Sequence, residues 1–194
     1  LGIGIAAPGF ITLEGIVEYS PKFNWSNIDL VKPLKEKYKV PVIINNVVSA
    51  MAVGELYYGS HDFETFAFVN IGHGIGCGFI FNGKLLTGYN GIIGEMGHTK
   101  VMPESMVRRK CQCGKYNCLE CFSSGWGIEA IAREKLKDYP DSLVNILINF
   151  DINLIDVKIL AKAAEQGDKF ATQIIGDAAE ILGVSIANLA NTYN

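Results

Sequence analysis

The sequence predicts an α/β protein whose first part is rich in strands and whose second part is helical. Short apolar runs separated by glycine-containing turns fill residues 1–86. Longer segments with helical spacing follow residue 124. Strands first and helices afterwards are typical of an α/β architecture with a helical second half.

The predicted elements follow from apolar spacing and turn residues. Strands are predicted at residues 1–6, 10–12, 16–19, 40–44, 65–70, 79–81 and 84–86. Helices are predicted at residues 29–38, 47–58, 125–137, 143–148, 155–166 and 168–193. Asn27 or Asp29 is the expected N-cap of the first helix. Residues 21–27 are expected to form a loop that carries Trp25, and Asn82-Gly83 predicts a tight hairpin.

The composition is that of a globular chain. Of the 194 residues, 49% are hydrophobic, which suffices for one substantial domain or two small lobes. The net charge is −3 and no basic stripe stands out, so this chain alone is a poor candidate for nucleic-acid binding. No apolar run reaches the about 18 residues of a membrane span, and none is predicted.

A polar segment, residues 59–64, is the expected boundary between two lobes. Residues 1–60 are then the remainder of an N-terminal α/β lobe. Residues 61–194 form a second α/β lobe with a cysteine-containing loop and a helical C-terminal half. Because the sequence opens directly on a strand and closes on a helix, both ends are expected to be cuts through a larger fold.

The strongest chemical signal is a cluster of one histidine and three cysteines. His98, Cys111, Cys113 and Cys118 form a ligand set for one tetrahedral Zn²⁺ of the Cys₃His type. The alternatives are buried thiols, or disulfides that also use Cys77 or Cys121. Since Cys111 and Cys113 are too close to bond each other without strain and five cysteines is an odd number, a metal site in a reducing cytoplasm is the favoured interpretation.

The same segment resembles the signature of a known family. The run Gly94-Glu95-Met96-Gly97-His98, followed by Cys111-x-Cys113-Gly114-x3-Cys118-Leu119-Glu120-x2-Ser123-Ser124-Gly125, is similar to that of the ROK family of bacterial repressors and sugar kinases. Ala7-Pro8-Gly9 and the glycine turn at 72–78 fall in the family's order. The resemblance implies an actin-like ATPase (ribonuclease H-like) fold with two lobes, incomplete in this chain.

The resemblance also implies roles for individual residues. His98 and the three cysteines would bind structural zinc, and a monosaccharide would contact Gly9, Asn45, Asn46, Glu95, His98 and Glu120. Carboxylates suit sugar hydroxyls because each oxygen accepts hydrogen bonds. A zinc-bound histidine keeps its second ring nitrogen as an oriented donor.

Three departures from the kinase pattern bear on catalysis. Asn46 stands at the position of the kinase general base, and an amide is unable to accept the proton of a sugar hydroxyl. Gly72, Gly74 and Gly76 remain of a phosphate-binding turn, but His73 replaces a threonine. The family's first phosphate loop and its adenosine-side segment lie outside Leu1–Asn194, so these residues alone would not complete an ATP site.

The sequence therefore predicts the sugar-sensing domain of a ROK-family repressor, similar to the xylose-repressor branch. The alternatives are an ATP- and Mg²⁺-dependent hexose kinase and a zinc-stabilised domain without ligand. DNA would be bound only through a helix-turn-helix domain, which these 194 residues do not contain. The family resemblance implies a homodimer or higher homo-oligomer in the cytoplasm.

Overall fold

The computed structural model describes residues 1–193, apart from the side chain of Pro21. The chain packs into two compact units. The first comprises residues 1–70 and 76–95, and the second comprises residues 71–75 and 96–194. The predicted division into lobes at 1–60 and 61–194 stays a prediction.

Eight short strands confirm the strand-rich first part. They are β1 (Ile3–Ala7), β2 (Phe10–Ile11), β3 (Ile16–Ser20), β4 (Trp25–Asp29), β5 (Val42–Asn46), β6 (Phe66–Ile71), β7 (Ile75–Phe81) and β8 (Lys84–Leu85). β1 and β5 are parallel neighbours, with Ile3 opposite Val42 and Ala7 opposite Asn46. The orders β2-β3-β4 and β6-β7-β8 define the other two sheets.

Two helices complete the first unit, α1 (Val31–Tyr38) and α2 (Val47–Tyr58). α2 has the predicted bounds, because the Asn46 side chain caps its first turn. Gly78 on β7 allows close packing of this helix, since a Cβ there would lie 2.6 Å from the Ala52 Cβ. The predicted hairpin is confirmed by Asn82 and Gly83, whose φ angles are 48° and 70°.

The prediction of a loop over residues 21–27 is wrong. The segment contains a 3₁₀ turn, Pro21–Phe23, and then β4, in which Trp25 pairs with Ser20 of β3. Polar side chains at Ser26 and Asn27 concealed the strand, because their spacing gives no clear apolar alternation. Trp25 packs against the core of this unit, and its ring lies 4.8 Å from that of Phe23.

The second unit is mainly helical, as predicted. Its helices are α3 (Glu120–Ser123), α4 (Gly125–Lys135), α5 (Leu143–Leu147), α6 (Val157–Glu165) and α7 (Lys169–Tyr193). Their apolar faces meet in a core around Phe170, Leu160 and Val144. α6 begins two residues later than predicted, because the Asp156 carboxylate caps it by accepting from the Ile159 N–H at 2.7 Å.

α7 is, by length and composition, the one helix of residues 1–193 that could cross a membrane. This is weak evidence, since the core helix of a soluble protein passes the same test. Phe170, Ile174 and Ala178 are buried in the core of the second unit, whereas Val184 and Ile186 are exposed. The N-terminal half of α7 is therefore a core helix of this unit.

Asp168 joins α5 to α7 and offers a test of this core. Its carboxylate accepts from the Ala171 and Leu143 N–H groups, each at 2.7 Å, and from the Ser142 hydroxyl at 3.0 Å. We expect Asp168→Ala to lower the free energy of unfolding by about 2 kcal/mol, because it removes a helix cap and leaves polar groups unpaired. Urea denaturation measures the change. Asp151→Ala, which removes the exposed cap of a single 3₁₀ turn, should cost less, and equal losses would contradict the assignment.

Candidate functional site

The four predicted metal ligands lie together in the second unit. One ligand atom from each of His98, Cys111, Cys113 and Cys118 lies within 4.8 Å of all the others. The Cys111 Sγ is 3.6 Å from the His98 Nδ1, and the Cys113 Sγ is 3.7 Å from the Cys118 Sγ. Tetrahedral zinc with ordinary bond lengths requires about 3.6 Å between sulfur and nitrogen and about 3.8 Å between two sulfurs. The donor set therefore fits a tetrahedral metal ion.

Short backbone pairings hold this metal loop, which we define as residues 98–119. His98 ends a 3₁₀ turn, Met96–His98. Single antiparallel bridges then join Lys100 to Cys118 and Lys110 to Tyr116. The loop contains no helix or strand after His98, although the structure describes all of it. These pairings bring the ligand-bearing segments side by side.

A tight turn places two of the thiols. The Cys111 N–H donates to the Lys115 carbonyl at 2.8 Å, and the Gly114 N–H donates to the Cys111 carbonyl at 3.0 Å. Gly114 has a φ of 87°, a conformation that glycine adopts without steric cost. The turn leaves Cys113 exposed, whereas Cys111 and Cys118 are buried.

The thiols are in unequal electrostatic surroundings. Burial raises the pKa of Cys111 and of Cys118 above the ordinary thiol value. Burial also acts to raise the pKa of Cys113, but the Lys115 N–H, the neighbouring thiols and the Lys115 charge outweigh it and lower this pKa. A bound cation would favour the thiolate form of all three, because metals bind the deprotonated ligand.

All five cysteines are free thiols, so the disulfide alternative is not realised in this structure. Cys121 is buried against the metal loop, and its Sγ lies 3.7 Å from the Arg109 carbonyl oxygen. Burial raises its pKa to about 12. Cys77 lies in the first unit, on β7, where burial raises its pKa to about 11.

Glu120, predicted to bind sugar, is the first residue of α3 and is buried. Its Oε1 accepts a hydrogen bond from the Ile75 N–H at 2.7 Å. Glycines make room for the carboxylate: a Cβ at Gly74 would lie 2.5 Å from the same oxygen, and one at Gly97 would collide with the Ile75 carbonyl oxygen. The carboxylate thus links the end of the metal loop to the glycine turn.

The glycine turn also contacts the start of α4. The Gly125 N–H donates to the Gly72 carbonyl at 2.8 Å, and the Trp126 N–H donates to the His73 carbonyl at 3.4 Å. Two of the backbone donors that a helix leaves unpaired at its N-terminus are therefore satisfied within this unit. His73 is exposed and lies in this turn, outside any strand or helix.

In the first unit, Asn46 and Gly9 are brought together at the ends of β5 and β1. The Asn46 Oδ1 accepts from the Val48 N–H at 2.8 Å and caps α2, while its Nδ2 donates to the Gly9 carbonyl at 2.9 Å. Gly9 has a φ of 118°, and a Cβ there would collide with the Tyr19 carbonyl oxygen. Asn45 precedes Asn46 on β5, opposite Ala6.

The other predicted residues of the first unit have structural contacts of their own. Glu95 follows Gly94, whose φ is 86° and whose carbonyl accepts from the Cys77 N–H at 2.8 Å. Gly76 lies against α2, since a Cβ there would be 2.8 Å from a Val48 methyl group. Gly72 and Gly74 belong to the second unit.

The end of β5 and the start of α2 lack a carboxylate. Residues 37–54 contain neither aspartate nor glutamate. Neither position 46 nor its neighbours in this segment therefore supply a general base of the carboxylate type.

Two features of the site were missed by sequence reasoning. One is the backbone N–H of Ile75 as the partner of Glu120, for which the sequence carries no signal. The other is Asn117, which is fully buried and has a φ of 58°. An asparagine beside a metal-binding cysteine, in a segment rich in turn residues, is the signal that could have identified it.

The chain belongs to the ROK family, whose model matches residues 1–194. It is 36% identical to a glucokinase of Halalkalibacterium halodurans, with 100% of the chain and 58% of the relative covered. It is 33% identical to the xylose repressor of Caldicellulosiruptor bescii, with 100% and 48% covered. The chain thus spans about half the length of these curated relatives, which belong to two functional classes.

Solved structures confirm the predicted fold. The ROK family glucokinase from Streptomyces griseus, in complex with glucose and AMPPNP, matches with a TM-score of 0.87 and 27% identity, over 99% of this chain and 62% of that one. A ROK family transcriptional regulator, a homologue of the E. coli MLC protein, matches with a TM-score of 0.86 and 29% identity, over 99% and 47%. The fold is that of actin-like ATPase sugar kinases and of their regulator relatives.

The metal cluster predicts how the chain responds to loss of one thiol. We expect Cys113→Ser to reduce the metal content from one ion per chain to near zero, because a hydroxyl replaces a thiolate ligand. Cys113 is exposed, so the substitution leaves the core intact. Elemental analysis after dialysis measures the ratio. The control Cys77→Ala removes a buried thiol outside the cluster and should keep the ion; loss in both variants would argue against a specific site.

Metal affinity should also depend on pH. Protons compete with the metal for the thiols, so the affinity should rise with pH between 6 and 8 by about tenfold per pH unit for each proton released. Competition against a chromophoric chelator measures it. A constant affinity over this range would exclude thiolate ligation.

The hydrogen bond from the Ile75 N–H to Glu120 predicts how fast this amide exchanges its hydrogen with solvent. We expect Glu120→Ala to speed hydrogen exchange at the Ile75 amide, because its acceptor is lost. Glu120→Gln should largely preserve protection, since the amide oxygen still accepts. Glu129→Ala, which removes an ion pair with Arg133 on α4, is the matched control. Equal exchange in all variants would contradict the assigned bond.

Proposed function

We propose that this chain is the sugar-sensing part of a ROK transcriptional regulator. The ligand is a monosaccharide, and the residues proposed to contact it are Gly9, Asn45, Asn46, Glu95, His98 and Glu120. The observation that carries the proposal is that the Asn46 amide is hydrogen-bonded at both ends, to the Gly9 carbonyl and to the Val48 N–H at the start of α2. The surrounding segment, residues 37–54, contains no carboxylate.

This arrangement suits recognition better than phosphoryl transfer. A positioned base is worth about 10²- to 10⁴-fold in rate, and an amide does not supply it. The Glu120 carboxylate uses Oε1 for the Ile75 N–H, and its other oxygen is a fixed acceptor for a sugar hydroxyl. Hydroxyl recognition requires such fixed acceptors, whereas proton removal requires a base.

The metal in this proposal is Zn²⁺, held by His98, Cys111, Cys113 and Cys118. Its role is structural, because four protein ligands leave no open position for a substrate. The ring nitrogen of His98 that does not bind the metal would donate to the sugar. Glu120 follows Cys118 by two residues, so the metal also fixes the segment that carries the acid.

Signalling would follow from a shift between conformations. A sugar that binds one conformation better than another biases the population toward it. In a homodimeric regulator that carries helix-turn-helix domains, such a bias would change how those domains are oriented on DNA. We place the protein in the cytoplasm, where reduced thiols persist.

An ATP- and Mg²⁺-dependent hexose kinase is the second candidate. The 36% identity to a glucokinase favours it, as this value is similar to the 33% shared with a xylose repressor. The remnant phosphate turn at Gly72, Gly74 and Gly76 would then contribute to nucleotide binding. Catalysis would have to rely on substrate positioning or on a base from another segment.

Calorimetry and turnover of the full-length protein decide between these functions. We expect saturable binding of at least one monosaccharide from a panel of pentoses, hexoses and N-acetylhexosamines, and ADP release no faster than in a reaction without sugar. Absence of binding would refute the sensor. Robust turnover that survives Asn46→Ala would refute the proposed role of the amide.

Two variants separate recognition by Asn46 from its helix cap. Asn46→Ser keeps a capping oxygen but loses the donor to Gly9, whereas Asn46→Ala loses both. We expect both to weaken sugar binding and only Asn46→Ala to lower the melting temperature markedly. Asn46→Asp and Val47→Asp each introduce a carboxylate at the start of α2, where a negative charge is favourable. ADP release gained by either variant would support the missing base as the reason for low turnover.

A further inference from the structure

Asn117 is the residue on which the metal loop converges. It is fully buried and adopts the left-handed conformation, with a φ of 58°. Asparagine tolerates this conformation better than most residues, because its short polar side chain can bond locally. It immediately precedes the metal ligand Cys118.

The backbone of Asn117 joins the segments that carry the other ligands. Its N–H donates to the Arg109 carbonyl at 2.8 Å, and its carbonyl accepts from the Val101 N–H at 3.0 Å. Arg109 lies two residues before Cys111, and Val101 lies three residues after His98. Three ligand-bearing segments therefore meet at one residue.

The side chain of Asn117 also hydrogen-bonds to the segment that leads to Cys111. The Asn117 Nδ2 donates to the Val107 carbonyl at 2.6 Å and is also near the carbonyls of Met102 and Pro103, at 3.2 and 3.4 Å. Its Oδ1 accepts from the Arg109 N–H at 2.8 Å. Both N–H donors and the carbonyl oxygen of the amide are thus used on the backbone of residues 102–109.

We infer that Asn117 is the positioning residue of the metal centre, acting through Arg109 and Cys118. Its amide holds the loop in the metal-receiving arrangement before the metal arrives, so that less ordering is required on binding. This inference rests on the proposed metal site. It adds a residue that binds no metal itself and sets how tightly the metal is bound.

The test compares metal affinities of the full-length protein and three variants. Asn117→Gly keeps the left-handed backbone without steric cost and deletes the side-chain bonds. Asn117→Asp keeps an acceptor for the Arg109 N–H but turns the donor into an oxygen that faces carbonyls. Asn149→Gly is the matched control, because Asn149 also has a positive φ, of 49°, and is exposed outside the loop.

We expect Asn117→Gly and Asn117→Asp to weaken Zn²⁺ binding by about 10- to 100-fold, the range typical of residues that orient metal ligands. Asn149→Gly should leave the affinity unchanged. Competition with a chromophoric chelator gives the affinity, and the absorption spectrum of the Co²⁺-substituted protein reports the ligand geometry. Melting temperatures with and without metal complete the set.

The outcomes are separable. If Asn117 only stabilised the fold, both variants would melt earlier by the same amount with and without metal, and the affinity would not change. That result would overturn the inference while the metal site stands. Failure of the unaltered protein to bind Zn²⁺ would overturn the metal site, and the inference with it. If Asn117→Gly does not fold, Asn117→Asp, which keeps the acceptor, carries the comparison.

Discussion

The metal loop of the second unit is arranged around the convergence of one imidazole and three sulfurs within 4.8 Å of one another. Residues 99–119 have no helix or strand of their own, so a bound metal would add a cross-link to the backbone bridges and the Asn117 hydrogen bonds that hold this loop. The loop leads directly into Glu120, and Glu120 in turn holds the glycine turn through the Ile75 N–H. The ligand cluster, the buried acid and the glycine turn are thus connected in one continuous series of contacts.

Sequence reasoning located this cluster because ligand chemistry leaves a mark in residue identity and spacing. His98, Cys111, Cys113 and Cys118 are recognisable from side-chain type and spacing. Trp25 was misplaced because pairing of β4 with β3 depends on partners elsewhere in the chain. A backbone N–H is present in every residue type except proline, so no sequence pattern reveals that Glu120 binds the N–H of Ile75.

In the proposed function, the junction of β5 and α2 is the place that favours recognition over catalysis. An asparagine serves this junction well, because its oxygen caps the helix while its nitrogen holds the Gly9 carbonyl. An aspartate would perform the first task and would repel the carbonyl in the second. Asn46 is therefore a poor base, but it connects Gly9 to the start of α2 better than an aspartate would. Kinases and regulators can share this fold and still differ at position 46, because fold does not imply function.

Metal and ligand are expected to influence each other through Glu120. The carboxylate directly follows the loop that the metal would order, so loss of the metal would release an acceptor that the proposed sugar uses. Coupling of this kind is reciprocal: if the metal raises the affinity for sugar by some factor, the sugar raises the affinity for metal by the same factor. Asn117 would affect this coupling through metal binding, since it orders the metal loop and is not among the proposed sugar contacts. A substitution of Asn117 would then change the affinity for sugar only through its effect on metal binding.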